Sequence, residues 1–173
     1  WNEFVDRVNN ELIGTYGNFV HRVMTLTHRL PHSGSNPLIE YDDPASHSEI
    51  IDESMKILES AISSMERQRF KEALRSIMGI AQIGNALLQN SAPWKYMNSD
   101  DSEEREKSLS SLAMAWRLCR SLSILTRPFM PFQSDRLWKM LGEGSDMDSI
   151  LWDDSLSIDN TLNWCPDSPQ PLF

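Results

Sequence analysis

Apolar residues at every third or fourth position are the feature that most constrains how this chain can fold. Over residues 2–30 eight of them follow this spacing, and Pro31 comes directly after the last. Such spacing places the apolar side chains on one face of a helix, and proline cannot continue a helix, so the pattern predicts one long helix over 2–30. The eight positions are Val5, Val8, Leu12, Tyr16, Phe19, Val23, Leu26 and Leu30.

The same spacing predicts three further long helices and a short one. Apolar stripes run over residues 51–65 and over 70–88, where Phe70 is the first member, and a helix fits 104–126. A shorter helix fits 132–141. No segment alternates polar and apolar residues as a half-buried strand does. The sequence therefore predicts an all-α fold, an antiparallel bundle of four to five helices.

Three segments lack a helical period. Residues 31–47 and 91–103 are polar and rich in turn-forming residues, so we expect loops there. Residues 143–173 form an acidic tail that either packs on the bundle through its tryptophans or is partly disordered. We therefore divide the chain into a helical-bundle domain over 1–142 and an irregular tail over 143–173, which packs back on the bundle or toward a catalytic domain absent from this sequence.

The charge of the chain is unevenly distributed. The net charge is −9, and seven acidic residues fall within residues 40–59 and seven more within 143–167. Residues 60–139 hold twelve basic and eight acidic residues. An acidic total argues against a general nucleic-acid binder, because phosphate contacts need Lys and Arg. The neutral-to-basic centre still allows a local polyanion site, although a well-solvated acidic surface explains the pattern equally well.

Catalytic and metal-binding patterns are not found in the sequence. The four His and two Cys lack zinc spacing, and no glycine-rich phosphate loop occurs. We therefore expect no catalytic residue, no metal site and no cofactor in this chain. No apolar run approaches the roughly 18 residues of a membrane-spanning helix, and two cysteines fit reduced thiols, so we expect a cytoplasmic protein without membrane contact. Since the chain opens with Trp within a helical pattern, we expect it to be part of a longer protein.

Polar side chains interrupt the otherwise apolar first helix. Asn9, Asn10, Asn18 and Arg22 stand within it, although Asn is a poor helix former. At α-helical spacing, Asn10, Asn18 and Arg22 share roughly one face. Amide and guanidinium groups on a rigid helix can pair with base edges and phosphates. Alternatively, these groups cap loops or bridge helices within the bundle, above all Asn18.

The sequence Ala92-Pro93-Trp94-Lys95 is the second unusual feature. Pro93 fixes its own φ, and it places a large indole on a polar connection beside a cation. An aromatic side chain in that position suits stacking on a nucleic-acid base. Alternatively, Trp94 is a buried aromatic that closes the end of the bundle.

These features, in this order, resemble the anticodon-binding helical domain of class Ia aminoacyl-tRNA synthetases, and within that class the methionyl-tRNA synthetase family. The resemblance covers almost the whole chain. The first stretch lies within residues 8–23 and contains Asn-Asn-Glu-Leu and Gly-Asn-Phe-Val. The second lies within 70–94 and contains Gly84-Asn85 and Ala-Pro-Trp. The last two are Pro-Phe-Met-Pro within 122–132 and the end of the chain, with Trp164 and Pro-Leu-Phe. Asn-Asn-Glu-Leu and Ala-Pro-Trp favour the methionine enzyme over its leucine, valine and isoleucine relatives.

The resemblance implies that this chain recognises tRNA and that a missing catalytic domain of the same polypeptide joins methionine to the tRNA with ATP. ATP and a zinc ion would then bind in that missing part. The partners implied are the anticodon loop of a tRNA and the catalytic domain. The alternatives are an anticodon-binding domain of the leucyl, valyl or isoleucyl type and a helical protein-interaction module without RNA binding.

The resemblance also implies which residues touch the anticodon. Asn10 and Trp94 match family positions that contact anticodon bases, and Arg22 matches a position of less certain role. Pro93 shapes the turn, and Lys95 is expected to meet a phosphate. Lys71 and Arg75 are further phosphate candidates. Two residues depart from the family pattern, because Gly14 stands where some relatives carry an anticodon-reading Arg and His21 stands where Asn is common.

Overall fold

The computed structural model describes residues 8–144, 147–158 and 161–173, and the side chains of these except 8–11 and 148. Within them the fold is helical and contains no strand. A π-helix over Val8–Gly17 leads into helix α1, and four short 3₁₀ turns join the later elements. The helices are α1 (Asn18–Thr27), α2 (Ser48–Glu66), α3 (Phe70–Ser91), α4 (Pro93–Tyr96), α5 (Ser102–Thr126) and α6 (Pro131–Met140), and the 3₁₀ turns are Ile39–Tyr41, Pro44–His47, Met147–Ser149 and Trp152–Asp154.

The first helix differs from the prediction of one α-helix over 2–30. The described part is a π-helix over Val8–Gly17 followed by α1, which ends at Thr27. The predicted residues 2–7 lie outside the described part. Because residues that precede a proline avoid the α-helical conformation, the chain leaves the helix before Pro31.

The other predicted helices are confirmed, with ends that differ by a few residues. Phe70 was predicted to face inward, and this is wrong: it is 54% exposed because it is the first residue of α3. The predicted loop over 91–103 contains the short helix α4, and the one over 31–47 contains two 3₁₀ turns. Helices α1 and α3 come close at Gly84, where a side chain would overlap the ring of Phe19 on α1.

Helix α5 lies at the centre of the bundle. Every residue from Ser111 to Thr126 is buried. Two arginines on α5 are buried as well. Arg117 donates from Nε to Asp42 at 2.8 Å, and Arg120 donates from Nε to Glu143 at 3.0 Å. Because a buried charge needs a partner, these pairs attach the loop before α2 and the start of the tail to α5.

The described parts of the tail pack on the bundle. Trp164 lies against His28, with 4.5 Å between ring centroids, and Leu162 and Leu172 are buried. At Gly142 the backbone has φ 75°, and a side chain there would overlap the backbone of Trp164. The described residues Leu162, Trp164 and Leu172 therefore lie against the bundle.

No helix among the described residues is both long and apolar enough to cross a membrane.

Candidate nucleic-acid interface

Trp94 stands on a sharp turn that follows α3. Ala92 adopts the left-handed conformation, with φ 40° and ψ 55°, and its N–H donates to the carbonyl oxygen of Leu88 at 3.0 Å. Pro93 is the first residue of α4. Proline suits this position, because the N–H of the first helical residue has no hydrogen-bond acceptor within the helix. Pro93 is buried, whereas Trp94 is 44% exposed. The proline thus anchors the turn, and the indole is presented at the surface.

Helix α1 brings a cation to the face of this indole. The guanidinium carbon of Arg22 lies 5.0 Å from the centroid of the Trp94 ring. This is within the roughly 6 Å over which a cation is attracted to an aromatic face. The first helix and the turn at 93–95 therefore meet at one end of the bundle. The alternative that Trp94 is a buried aromatic is wrong.

Asn85 on α3 links this pair to the first helix. Its Oδ1 accepts a hydrogen bond from Nη1 of Arg22 at 3.3 Å. Its Nδ2 donates to the carbonyl oxygens of Thr15 and Ala81, each at 3.0 Å. Asn85 therefore holds the Arg22 guanidinium over the indole. One feature of the sequence points to this role of Asn85: its amide directly follows Gly84. Gly84 is the residue at which α1 and α3 come close.

Lys95 adds a second cation on the surface beside Trp94. Its Nζ donates to the phenolic oxygen of Tyr96 at 2.8 Å and lies 4.6 Å from the centroid of that ring. The hydrogen bond to Tyr96 raises the pKa of Lys95, and the negative charge of Glu104 acts in the same direction. Lys95 is therefore a charged and exposed group.

Three further positions that the sequence singled out, Asn18, Gly14 and Asn10, lie on the first helix. Asn18 and Gly14 are exposed on the first helix, four and eight residues before Arg22. Asn10 falls in the π-helix, and its side chain lies outside the described part, so its role stays a prediction. The hydrogen bonds of a π-helix join residues i and i+5, so α-helical spacing does not determine which face Asn10 occupies.

Lys71 and Arg75 do not belong to this site. Both are exposed near the beginning of α3, whereas Trp94 follows its end. At 1.5 Å per residue, Arg75 is about 25 Å along the helix from Ala92.

The described residues show no metal-binding cluster and no disulfide. No group of three or more His, Cys, Asp or Glu side chains comes together there in a way that could hold a metal ion. Cys119 and Cys165 are free thiols, and burial raises the pKa of Cys119.

Comparison with protein families gives one match that covers most of the chain. Residues 42–165 match the family described as the anticodon binding domain of methionyl tRNA ligase. This range includes Asn85, Pro93, Trp94 and Lys95, and it begins after the first helix.

Curated relatives match over nearly the full chain. The methionine–tRNA ligase of Christiangramia forsetii is 37% identical over 168 residues, which are 95% of this chain and 21% of that protein. The methionine–tRNA ligase of Methanopyrus kandleri is 31% identical over 173 residues, which are 100% of this chain and 24% of that protein. The chain thus spans between a fifth and a quarter of the length of these relatives.

Solved structures share the fold. A crystal structure of Mycobacterium tuberculosis methionyl-tRNA synthetase bound by methionyl-adenylate superposes with a TM-score of 0.79 at 17% identity, and covers 99% of this chain and 33% of its own. The apo form of the same protein gives a TM-score of 0.78 at 18% identity, covering 98% of this chain and 33% of its own.

Proposed function

Since this chain belongs to the family of anticodon-binding domains of methionyl-tRNA ligases, we propose that the end of the bundle that carries Trp94 holds the anticodon loop of a tRNA. The observation that carries the proposal is the pairing of a half-exposed indole with the Arg22 guanidinium at 5.0 Å. Proteins that bind unstacked bases use such surfaces, because an aromatic face stacks on any base and a cation attracts phosphate.

In the proposed complex one anticodon base leaves the stack of the loop and lies on the exposed part of Trp94. Such stacking contributes about 1–3 kcal/mol per base. Asn10 reads the hydrogen-bonding edge of a base, since an amide both donates and accepts. Arg22 and Lys95 meet phosphates, which orients the RNA without specifying its sequence.

The remaining steps belong to the longer protein that the relatives indicate. We propose that its catalytic domain joins methionine to the bound tRNA in the cytoplasm, and that ATP, together with any zinc ion, binds outside the residues described here. In that arrangement this domain selects the tRNA and contributes no reacting group.

The test of the proposal is the affinity of the full-length protein for its tRNA when Trp94 is replaced. We expect Trp94→Ala to weaken binding by about 1–3 kcal/mol, because one stacked base is lost. Phe132→Ala is the matched control, since Phe132 is an aromatic residue on α6 that is 83% exposed. It should leave the dissociation constant unchanged. Filter binding or fluorescence anisotropy measures both variants.

Equal affinities for the two variants would remove Trp94 from the interface. Salt dependence provides a second readout, because RNA binding through phosphate contacts weakens steeply as salt rises. A flat salt dependence would favour a protein-interaction module instead.

A further inference from the structure

A stack of aromatic rings attaches the tail to the end of α1. The imidazole of His28 lies on the indole of Trp164, with 4.5 Å between the ring centroids and 34° between the ring planes. On α5, the centroid of the Trp116 ring lies 5.9 Å from that of Trp164. The indole Nε1 of Trp164 is buried and has no hydrogen-bond partner among the described residues. Trp164 is thus held by the faces of its ring.

Both ring nitrogens of His28 lie at hydrogen-bond distance from a backbone carbonyl oxygen. Nδ1 lies 2.8 Å from the carbonyl oxygen of Met24, one turn earlier on α1. Nε2 lies 3.2 Å from the carbonyl oxygen of Cys165 in the tail. A carbonyl oxygen can only accept a hydrogen bond. The neutral imidazole has one N–H and donates to one of the two oxygens, whereas the imidazolium donates to both.

Two further interactions become available when His28 is protonated. His28 is the residue that ends α1, and the carbonyl end of a helix attracts a cation. The face of an indole attracts a cation as well, and the two rings lie within the roughly 6 Å over which this attraction acts. The hydrogen bond to Cys165 and the contact with Trp164 exist only while the tail is attached. A proton on His28 therefore strengthens the attachment.

Other titratable groups surround this contact. From the loop after α1, His32 meets the indole of Trp164 edge-on, with 5.1 Å between the ring centroids. Since it is also an imidazole, it is the alternative source of a pH response in the same range. Further charged or titratable groups lie close to His28 in sequence or belong to the tail and the surface on which it packs: Arg29, Lys139, Glu143, Cys165 and Asp167.

We propose that His28 makes the attachment of the tail to the bundle depend on pH, with tighter attachment at lower pH. In the attached state the protonated ring donates to the carbonyl oxygens of Met24 and Cys165 and lies on Trp164. When the tail leaves, Cys165 and Trp164 leave with it. The fold thus contains a proton-operated latch between α1 and the tail. The inference goes beyond the proposed tRNA binding and does not depend on it.

Hydrogen–deuterium exchange of the full-length protein, followed by mass spectrometry, tests the latch. The two conditions are about pH 5.5 and about pH 7.5, within the range where histidine changes its charge. Exchange times are scaled to the intrinsic amide rate at each pH. We expect peptides from residues 161–173 to be protected about fivefold more strongly at the lower pH, the effect of about one additional hydrogen bond.

Two histidine variants assign this response to one ring. In His28→Gln the side chain still donates one hydrogen bond but does not titrate, so the protection of the tail should be the same at both pH values. His32→Gln is the matched control, since it removes the neighbouring imidazole, and it should retain the response of the wild type. Exchange within α3 serves as the check that each variant is folded.

A wild-type tail with equal protection at both pH values would overturn the proposal, whether or not the variants fold. An unchanged response in His28→Gln would overturn it as well, because the proton would then act elsewhere. Loss of the response in His32→Gln would move the latch to His32 and show that the assignment to His28 is wrong.

Discussion

At the scale of single residues, the candidate site depends on three side chains from two helices and a turn. Trp94 provides the exposed aromatic face, Arg22 lies over it, and Asn85 holds Arg22. The sequence predicted the first two, because an indole after a proline and a guanidinium in an apolar helix are unusual locally. It did not assign a role to Asn85, since that role exists only where α1 meets α3 in space.

Asn85→Ala tests this positioning role. The variant loses the acceptor for Arg22 and the donor for the carbonyl oxygen of Thr15. The free energy of unfolding should therefore fall by about 1–2 kcal/mol. tRNA binding should weaken as well, though by less than in Trp94→Ala, because the indole remains. Gln89→Ala, at an exposed position one turn later on α3, is the control.

Urea denaturation and tRNA titration of the full-length protein check both effects. If Asn85→Ala changed stability but left tRNA affinity equal to that of the Gln89 variant, Asn85 would be a structural residue only.

At the scale of elements, the apolar spacing predicted most helices and failed where the local geometry is unusual. Helix α3 follows its predicted stripe because Ile77, Ala81, Gly84 and Leu88 lie on its buried face at the 3.6-residue period, whereas α5 is buried on every side from Ser111 to Thr126. The π-helix at the start was missed, since apolar residues three and four apart do not reveal hydrogen bonds to the fifth residue. Helix α4 was missed because four residues are too few to show a period.

The contact between α1 and α3 makes a prediction at this scale. Gly84 is buried against the ring of Phe19, and a methyl group there would overlap the ring. Gly84→Ala should therefore lower the free energy of unfolding by about 1–3 kcal/mol, despite the better helix propensity of alanine. Gly79→Ala on the same helix is the control, because its methyl group would meet only the flexible end of Ile57 at 3.0 Å.

Urea unfolding of the two variants gives the comparison. Similar stabilities would mean that α1 shifts away at no cost, and that Gly84 does not determine how closely the two helices pack.

At the scale of the whole molecule, the tail connects parts of the chain that are far apart in sequence. Tyr16 on the first helix packs edge-on against Phe173, with 5.7 Å between ring centroids. Asn36 donates to the carbonyl oxygen of Asn163 at 2.8 Å. Sequence periodicity could not predict these contacts, because each depends on one side chain and not on a repeated pattern. The family comparison, in turn, decided between the methionine type and its leucine, valine and isoleucine relatives.

Site-specific photo-crosslinking shows whether an anticodon base lies on Trp94. A tRNA that carries 4-thiouridine in its anticodon is bound to the full-length protein and irradiated, and the crosslinked tryptic peptides are identified by mass spectrometry. We expect a crosslink to the peptide of residues 76–95, which ends just after Trp94. Crosslinks confined to peptides of α2 or α6, with residues 76–95 unmodified, would contradict it.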